Sequence, residues 1–215
     1  MKLFFFIGFN KMATISLYKL FLKNNIPTRH HNVDKEVTID KMLKNYNENR
    51  KILSGINPNY RKFKNLNRND DRLALLDFLN DKYIDFYKKI YEQYPDAKYI
   101  AQCRDKISWI TSRCNFMNGN YYKYLNKKYS SNISLKQYIK KWSEIYDYHY
   151  KNIDVFFKNN NKEYLKFDIT DNLDKLKKFT NLDIKDDCLG HEHKNSKYKY
   201  SKEFVKKILN DHEYS

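Results

Sequence analysis

Lys11 sits three residues after Gly8 and runs into Met12, Ala13, Thr14, Ile15, Ser16 and Leu17. One cation followed by two hydroxyls at a helix start is a device for holding an anion. Backbone N–H groups point outward there, the helix dipole favours negative charge, and the lysine adds a full charge. A second set of polar residues, Arg104, Asp105, Ser108 and Ser112, follows the apolar run ending at Cys103. The guanidinium fork of Arg104 suits a phosphate. If 108–115 is helical, Ser112 shares a face with Ser108 and Trp109. His30 and His31 have the side chain best suited to take a proton near neutral pH, with Asp34 and Glu36 as fallback bases. The plain alternative for the pair is a surface position in a polar loop. His149 reads as a helix-face residue, and Trp109 and Trp142 as packing residues. His191 and His193 have no Cys or carboxylate cluster at a known ligand spacing, so no metal is expected.

These residues need a scaffold. Leu3 to Ile7 is a continuous apolar run and reads as a buried strand, with 14–24 as the following helix. Residues 28–33 are extended and polar, 35–53 helical, and 55–71 the least periodic stretch, a loop. The apolar stripe Leu75, Leu76, Leu79, Tyr83, Phe86, Ile90 and Tyr94 predicts one long helix over 71–94, with a break near Asn80. Strands follow at 97–103 and 164–169, and helices at 108–115, 134–157, 171–179 and 201–210, with Ser134 as an N-cap. Strands separated by helices predict a parallel sheet with helices on both faces. In such sheets ligands bind beyond the strands' carboxyl ends. The Lys11 loop and the Arg104–Asp105 pair both fall at such ends.

The chain has 215 residues, enough for one α/β domain, and only 4 Gly and 3 Pro, so long elements and few tight turns are expected. A net charge of +16 points to polyanionic partners, with solvated lysines as the plain alternative. A lysine-rich stretch, Lys194 to Lys207, is interleaved with Tyr198 and Tyr200. Three cysteines, Cys103, Cys114 and Cys188, lack metal-ligand spacing and read as reduced thiols. The apolar start is short and has no small-residue cleavage site. No stretch approaches the roughly 20 apolar residues of a membrane span. A soluble, intracellular protein is expected.

The first loop lacks G-x-x-x-x-G-K-[ST], so it is not a Walker A loop. Gly8-Phe9-Asn10-Lys11-Met12-Ala13-Thr14-Ile15-Ser16-Leu17 resembles the 5′-phosphosulfate loop of sulfotransferases that use 3′-phosphoadenosine 5′-phosphosulfate (PAPS). Tyr94 to Ile100 followed by Arg104, Asp105, Trp109 and Ser112 is similar to that family's second signature. Tyr164 to Ile169, then Leu176, Phe179 and Leu182, resembles its last core strand and helix, and His191 to Asn195 its closing segment. The resemblance covers about residues 3–197.

It implies an α/β, three-layer α/β/α single domain with a central parallel sheet and a P-loop-like sulfotransferase architecture. The core would span about 2–197 and the basic helical tail 198–215. It also implies transfer of a sulfuryl group from PAPS, leaving adenosine 3′,5′-bisphosphate (PAP), to a hydroxyl or amine without a metal. Asn10, Lys11, Met12, Ala13, Thr14, Ile15 and Ser16 would cradle the phosphosulfate, Lys11 would also stabilise the leaving oxygen, and Arg104 and Ser112 would grip the 3′-phosphate. A histidine follows the first helix in relatives with a similar loop, and His30 matches it, with His31 beside it. The charge of 57–69 and of the tail hints at an acidic glycan or phospho-ligand as acceptor. There are departures. Ala13 replaces glycine, which requires φ < 0 there. Ile15 replaces threonine, Lys106 replaces proline, and Leu189-Gly190 and His193 replace Phe-Pro and Asn. The alternatives are a catalytically idle relative binding nucleotide or nucleic acid, and a nucleotide kinase. Acceptor identity and oligomeric state are not legible.

Overall fold

The computed structural model describes residues 2–30, 38–54, 72–76, 83–168, 170–185 and 198–211. They fall into two compact units, Met1–Cys103 with Phe157–Glu192, and Arg104–Phe156 with His193–Ser215.

The first unit holds the sheet. Strands β1 (Lys2–Phe6), β2 (Thr28–His30), β3 (Arg72–Leu76), β4 (Lys98–Cys103) and β5 (Leu165–Asp168) are all parallel, in the order β2-β3-β1-β4-β5. β1 is central, and Leu3 to Phe6 are all buried. A strand covered on both faces is apolar throughout rather than alternating, as Leu-Phe-Phe-Phe is. Phe5 pairs with Tyr99 and Phe6 with Ile100 on one side, and Phe4 with Ala74 on the other. The order reverses between β1 and β4, the place where open α/β sheets leave a ligand crevice.

Helix α1 (Thr14–Lys23) buries Leu17, Leu20 and Phe21 against Phe4, Phe6, Ile100 and Phe167. Leu173 and Leu176 of α7 (Leu173–Thr180) join the same core. Tyr87 and Tyr91 of α3 (Phe86–Gln93), with Tyr99 and Tyr164, surround the Phe157 ring, at centroid distances of 5.0–6.2 Å. α2 is Ile39–Asn47, shorter than the expected 35–53, and opens on Thr38, whose hydroxyl accepts from Lys41 N–H at 3.1 Å.

The single helix expected over 71–94 is incorrect. Arg72–Leu76 is strand β3, and among the described residues of this stretch the helix is Phe86–Gln93. Leu73, Ala74 and Leu75 are all buried, one after another. A short, fully buried strand and a stretch of buried helix look alike by periodicity, and pairing with β1 and β2 decided it.

The second unit is helical: α4 (Lys106–Gly119), α5 (Tyr121–Tyr129), α6 (Leu135–Asn159, its end from Phe157 belonging to the sheet unit) and α8 (Lys202–Asn210). The sequence reading placed no helix at α5. α6 opens on Ser134 as expected, with a reciprocal capping box in which Gln137 N–H donates to the Ser134 hydroxyl at 3.3 Å and Ser134 N–H to Gln137 Oε1 at 2.9 Å. Trp109 and Trp142 are fully buried and sandwich the buried Arg113 guanidinium, 4.8 Å from each ring. Asn115 receives the C-terminal segment. Its amide donates to the Tyr200 carbonyl at 2.8 Å, and Tyr200 N–H donates back at 3.0 Å. α8 then buries Val205 and Ile208. Among the described residues, no helix is long and apolar enough to cross a membrane.

Candidate functional site

The expected anion loop is built by a close approach of two strands. Ile7 N–H donates to the Ile100 carbonyl at 2.8 Å, and Gly8 N–H to the buried Gln102 side chain at 2.8 Å. A Cβ on Gly8 would lie 2.0 Å from the Gln102 carbonyl oxygen, so only glycine lets the chain leave β1 flush against β4. Phe9 and Met12 are buried and anchor the turn. Lys11 and Ala13 are both left-handed, with φ of 63° and 56°. Left-handed residues in a tight turn gather successive N–H groups into an anion-binding concavity.

Ala13 is the N-cap of α1 and provides no side-chain cap. The first N–H groups of a helix need an outside acceptor, and the first turn of α1 carries no acidic side chain. Asn10, Lys11 and Ile15 are half-buried, while Thr14 and Ser16 are buried. The condition set for Ala13 in the sequence, a negative φ, is not met. Its Cβ meets the steric clash of the left-handed region, which costs about 1–2 kcal/mol for an L-residue.

His30 closes β2 and is not in a surface loop. It is fully buried, its Nε2 lies 3.0 Å from the Thr14 hydroxyl, and its ring meets Tyr18 edge-on at 5.6 Å. His31, Asp34 and Glu36 lie outside the described residues, as do 57–69, Cys188 and His191 to Asn195.

At the far end of the sheet Asp168 accepts from Thr170 N–H at 2.9 Å and from the Thr170 hydroxyl at 2.8 Å. That strand-end carboxylate is engaged by its own turn. Cys103, at the end of β4, has its thiol pushed up to about 11 by burial and then by the Asp168 carboxylate.

In the helical unit, Arg104, Asp105, Ser108 and Ser112, the second group singled out in the sequence, lie at the head of α4. Asp105 caps the helix, accepting from Ser108 N–H at 2.8 Å and from the Ser108 hydroxyl at 2.7 Å. The hydroxyl bond is the main reason its carboxyl sits below the ordinary range. Ser108 is thereby committed to the cap. Ser112, one turn on, is half-buried, as is Arg104, whose carbonyl accepts from the Tyr146 hydroxyl at 2.7 Å. Lys106 pairs with Asp147 of α6 at 2.8 Å, so a charge fixes α4 to α6 at this departure from proline.

Sequence reasoning missed Gln102, whose partner is 94 positions away, and the tie between Thr14 and His30. His149, read as a helix-face residue, is buried in α6. No group of three or more His, Cys, Asp or Glu placed to hold a metal occurs among the described residues.

A model of the sulfotransferase domain family matches residues 4–198, a span that includes the Lys11 loop, Arg104 and Ser112. No curated protein matches the chain.

Proposed function

The chain belongs to the sulfotransferase domain family, and we propose that it transfers a sulfuryl group from PAPS to a hydroxyl or amine. The observation that carries this is the start of α1: a helix without a side-chain cap, behind a left-handed turn bearing Lys11. The donor would bring the sulfuryl group and a phosphate leaving group. The loop amides, Lys11, Thr14 and Ser16 would hold its charged end, and Lys11 would offset the negative charge that grows on the leaving oxygen. Arg104 and Ser112 would take its 3′-phosphate, and Asn10, Met12, Ala13 and Ile15 contribute backbone to the cradle. Positioning and charge stabilisation suffice for an in-line displacement, so no metal is invoked. The stretch carrying His30 and His31 supplies the acceptor's proton acceptor. Because the family match runs through both compact units, we read 1–215 as one sulfotransferase domain, working inside the cell. The acceptor is an anionic glycan or small molecule, with nucleic acid a secondary partner of the lysine-rich surface.

Thermal shift with PAP, against ATP with Mg²⁺, tests the donor through ligand linkage. PAP alone should stabilise the protein, and indifference to PAP would sink the reading. Lys11→Ala and Arg104→Ala should each abolish the shift.

Ala13 favours a second reading. A left-handed alanine in the loop fits a relative that still binds the nucleotide but no longer turns over. PAP binding with no sulfuryl transfer to any hydroxyl acceptor, restored by Ala13→Gly, would identify it.

A further inference from the structure

We infer that His30 is a positioning residue for the donor loop, acting through Thr14, rather than the group that takes the acceptor's proton. This rests on the donor reading above. His30 closes β2 in register with Leu76 of β3. Its ring is fully enclosed, and one side is met by Tyr18, which stands one turn beyond Thr14 on α1. α1 therefore clasps the imidazole with two side chains at i and i+4 spacing. A proton acceptor must come within hydrogen-bond reach of the acceptor hydroxyl. The enclosed ring presents no surface to a second substrate, and its Nε2 is occupied by Thr14.

The contact has a direction with consequences. A threonine hydroxyl has one proton to give and two lone pairs. When Nε2 carries the proton it donates to Thr14 Oγ1, and the hydroxyl proton is left for an anion in the loop. When Nε2 is bare, Thr14 gives its proton inward and offers the anion only lone pairs. An anionic ligand therefore selects the first arrangement, and the imidazole keeps Thr14 a donor toward the loop. Ile15, where the family usually has threonine, makes this hydroxyl count for more, since Thr14 and Ser16 are the two that remain.

The test is PAP affinity by titration calorimetry, with Tm of the unliganded protein measured alongside. The variants are Thr14→Val, His30→Gln, His30→Leu, and the Thr14→Val/His30→Leu double variant. Thr14→Val and His30→Leu should each weaken PAP binding by about tenfold, the scale of one hydrogen bond to a charged group. The double variant should be no weaker than either single one, because both remove the same contact. His30→Gln, which keeps an N–H donor, should bind within about threefold of the unmodified protein by the same accounting. Additive losses, or unchanged affinity with only a lower Tm, overturn the inference while leaving the donor reading intact. Failure of the unmodified protein to bind PAP overturns both. If His30→Leu does not fold, Thr14→Val and His30→Gln still decide, since unchanged affinity in Thr14→Val is enough to reject the role.

Discussion

Two small residues bound the anion loop, and they carry opposite constraints. Gly8 has no space for a side chain, since a Cβ would meet the Gln102 carbonyl and side chain at 2.0–2.9 Å. Gly8→Ala should lower stability by more than the 1–3 kcal/mol typical of overpacking, because backbone is what it strikes. Chemical denaturation would read this directly. Ala13 has the reverse problem, a Cβ where the backbone wants none. Ala13→Gly should raise Tm by about 2–4 °C, the equivalent of about 1 kcal/mol in a chain of this size. A drop in Tm would show that the left-handed turn is not the conformation held in solution. Lys11 is also left-handed, and strain at a charged residue in a ligand loop is where such strain usually collects. Lys11→Ala removes the ammonium and should abolish the thermal-shift response to PAP.

Elements explain why the helices start and stop where they do. α4 begins at Lys106 rather than at the expected Ser108 because Asp105 reaches forward to cap it. It is interrupted at Met117 and Asn118, both left-handed, and Gly119 follows with φ 79°. A Cβ on Gly119 would meet the Lys199 side chain at 2.8 Å, so the C-terminal segment packs closely there. Asn115 completes the attachment by pairing with both backbone groups of Tyr200. Asn115→Ala would leave that N–H and carbonyl without their partner, at about 1–3 kcal/mol. The measurable sign is limited proteolysis: cleavage near Tyr198 should become fast in the variant and stay slow in the unmodified protein. α8 begins at Lys202, so both Tyr200 and this helix lie beyond residue 198, where the family match ends.

At the scale of the whole molecule, buried acids set the response to alkali. The Cys114 thiol is pushed up to about 12 and that of Cys103 to about 11, each chiefly by burial. Burial likewise raises the Tyr99 phenol. An unfolded chain releases thiol protons from about pH 9, while the folded chain holds them. Between these values the native state binds more protons, so stability is full below about pH 9 and falls as pH rises toward 11–12. Tm measured from pH 8 to 11 should decline, and the decline should be shallower in a Cys103→Ser/Cys114→Ala variant. An unchanged slope in that variant would assign the alkaline loss to the phenols. The charge of +16 makes a separate demand. Oligonucleotide binding, if it occurs, should weaken steeply with salt, whereas PAP held in a shaped loop should respond far less.

The local sequence determined much of this protein. An apolar pentad, a glycine, a lysine and two hydroxyls specify strand, turn and helix start through near-neighbour physics, and Arg104, Asp105 and Ser112 mark the head of α4 in the same way. The tertiary structure decided what depends on distant partners. Leu73 to Leu75 became a strand because β1 and β2 offered hydrogen bonds on both sides. Gly8 became irreplaceable because Gln102 lies against it. His30 passed from a polar loop to a sealed place behind Thr14 because β3 and α1 enclosed it. Spacing along a chain reports the faces of its own helix or strand. It carries no register between strands, and register is what brought these side chains together.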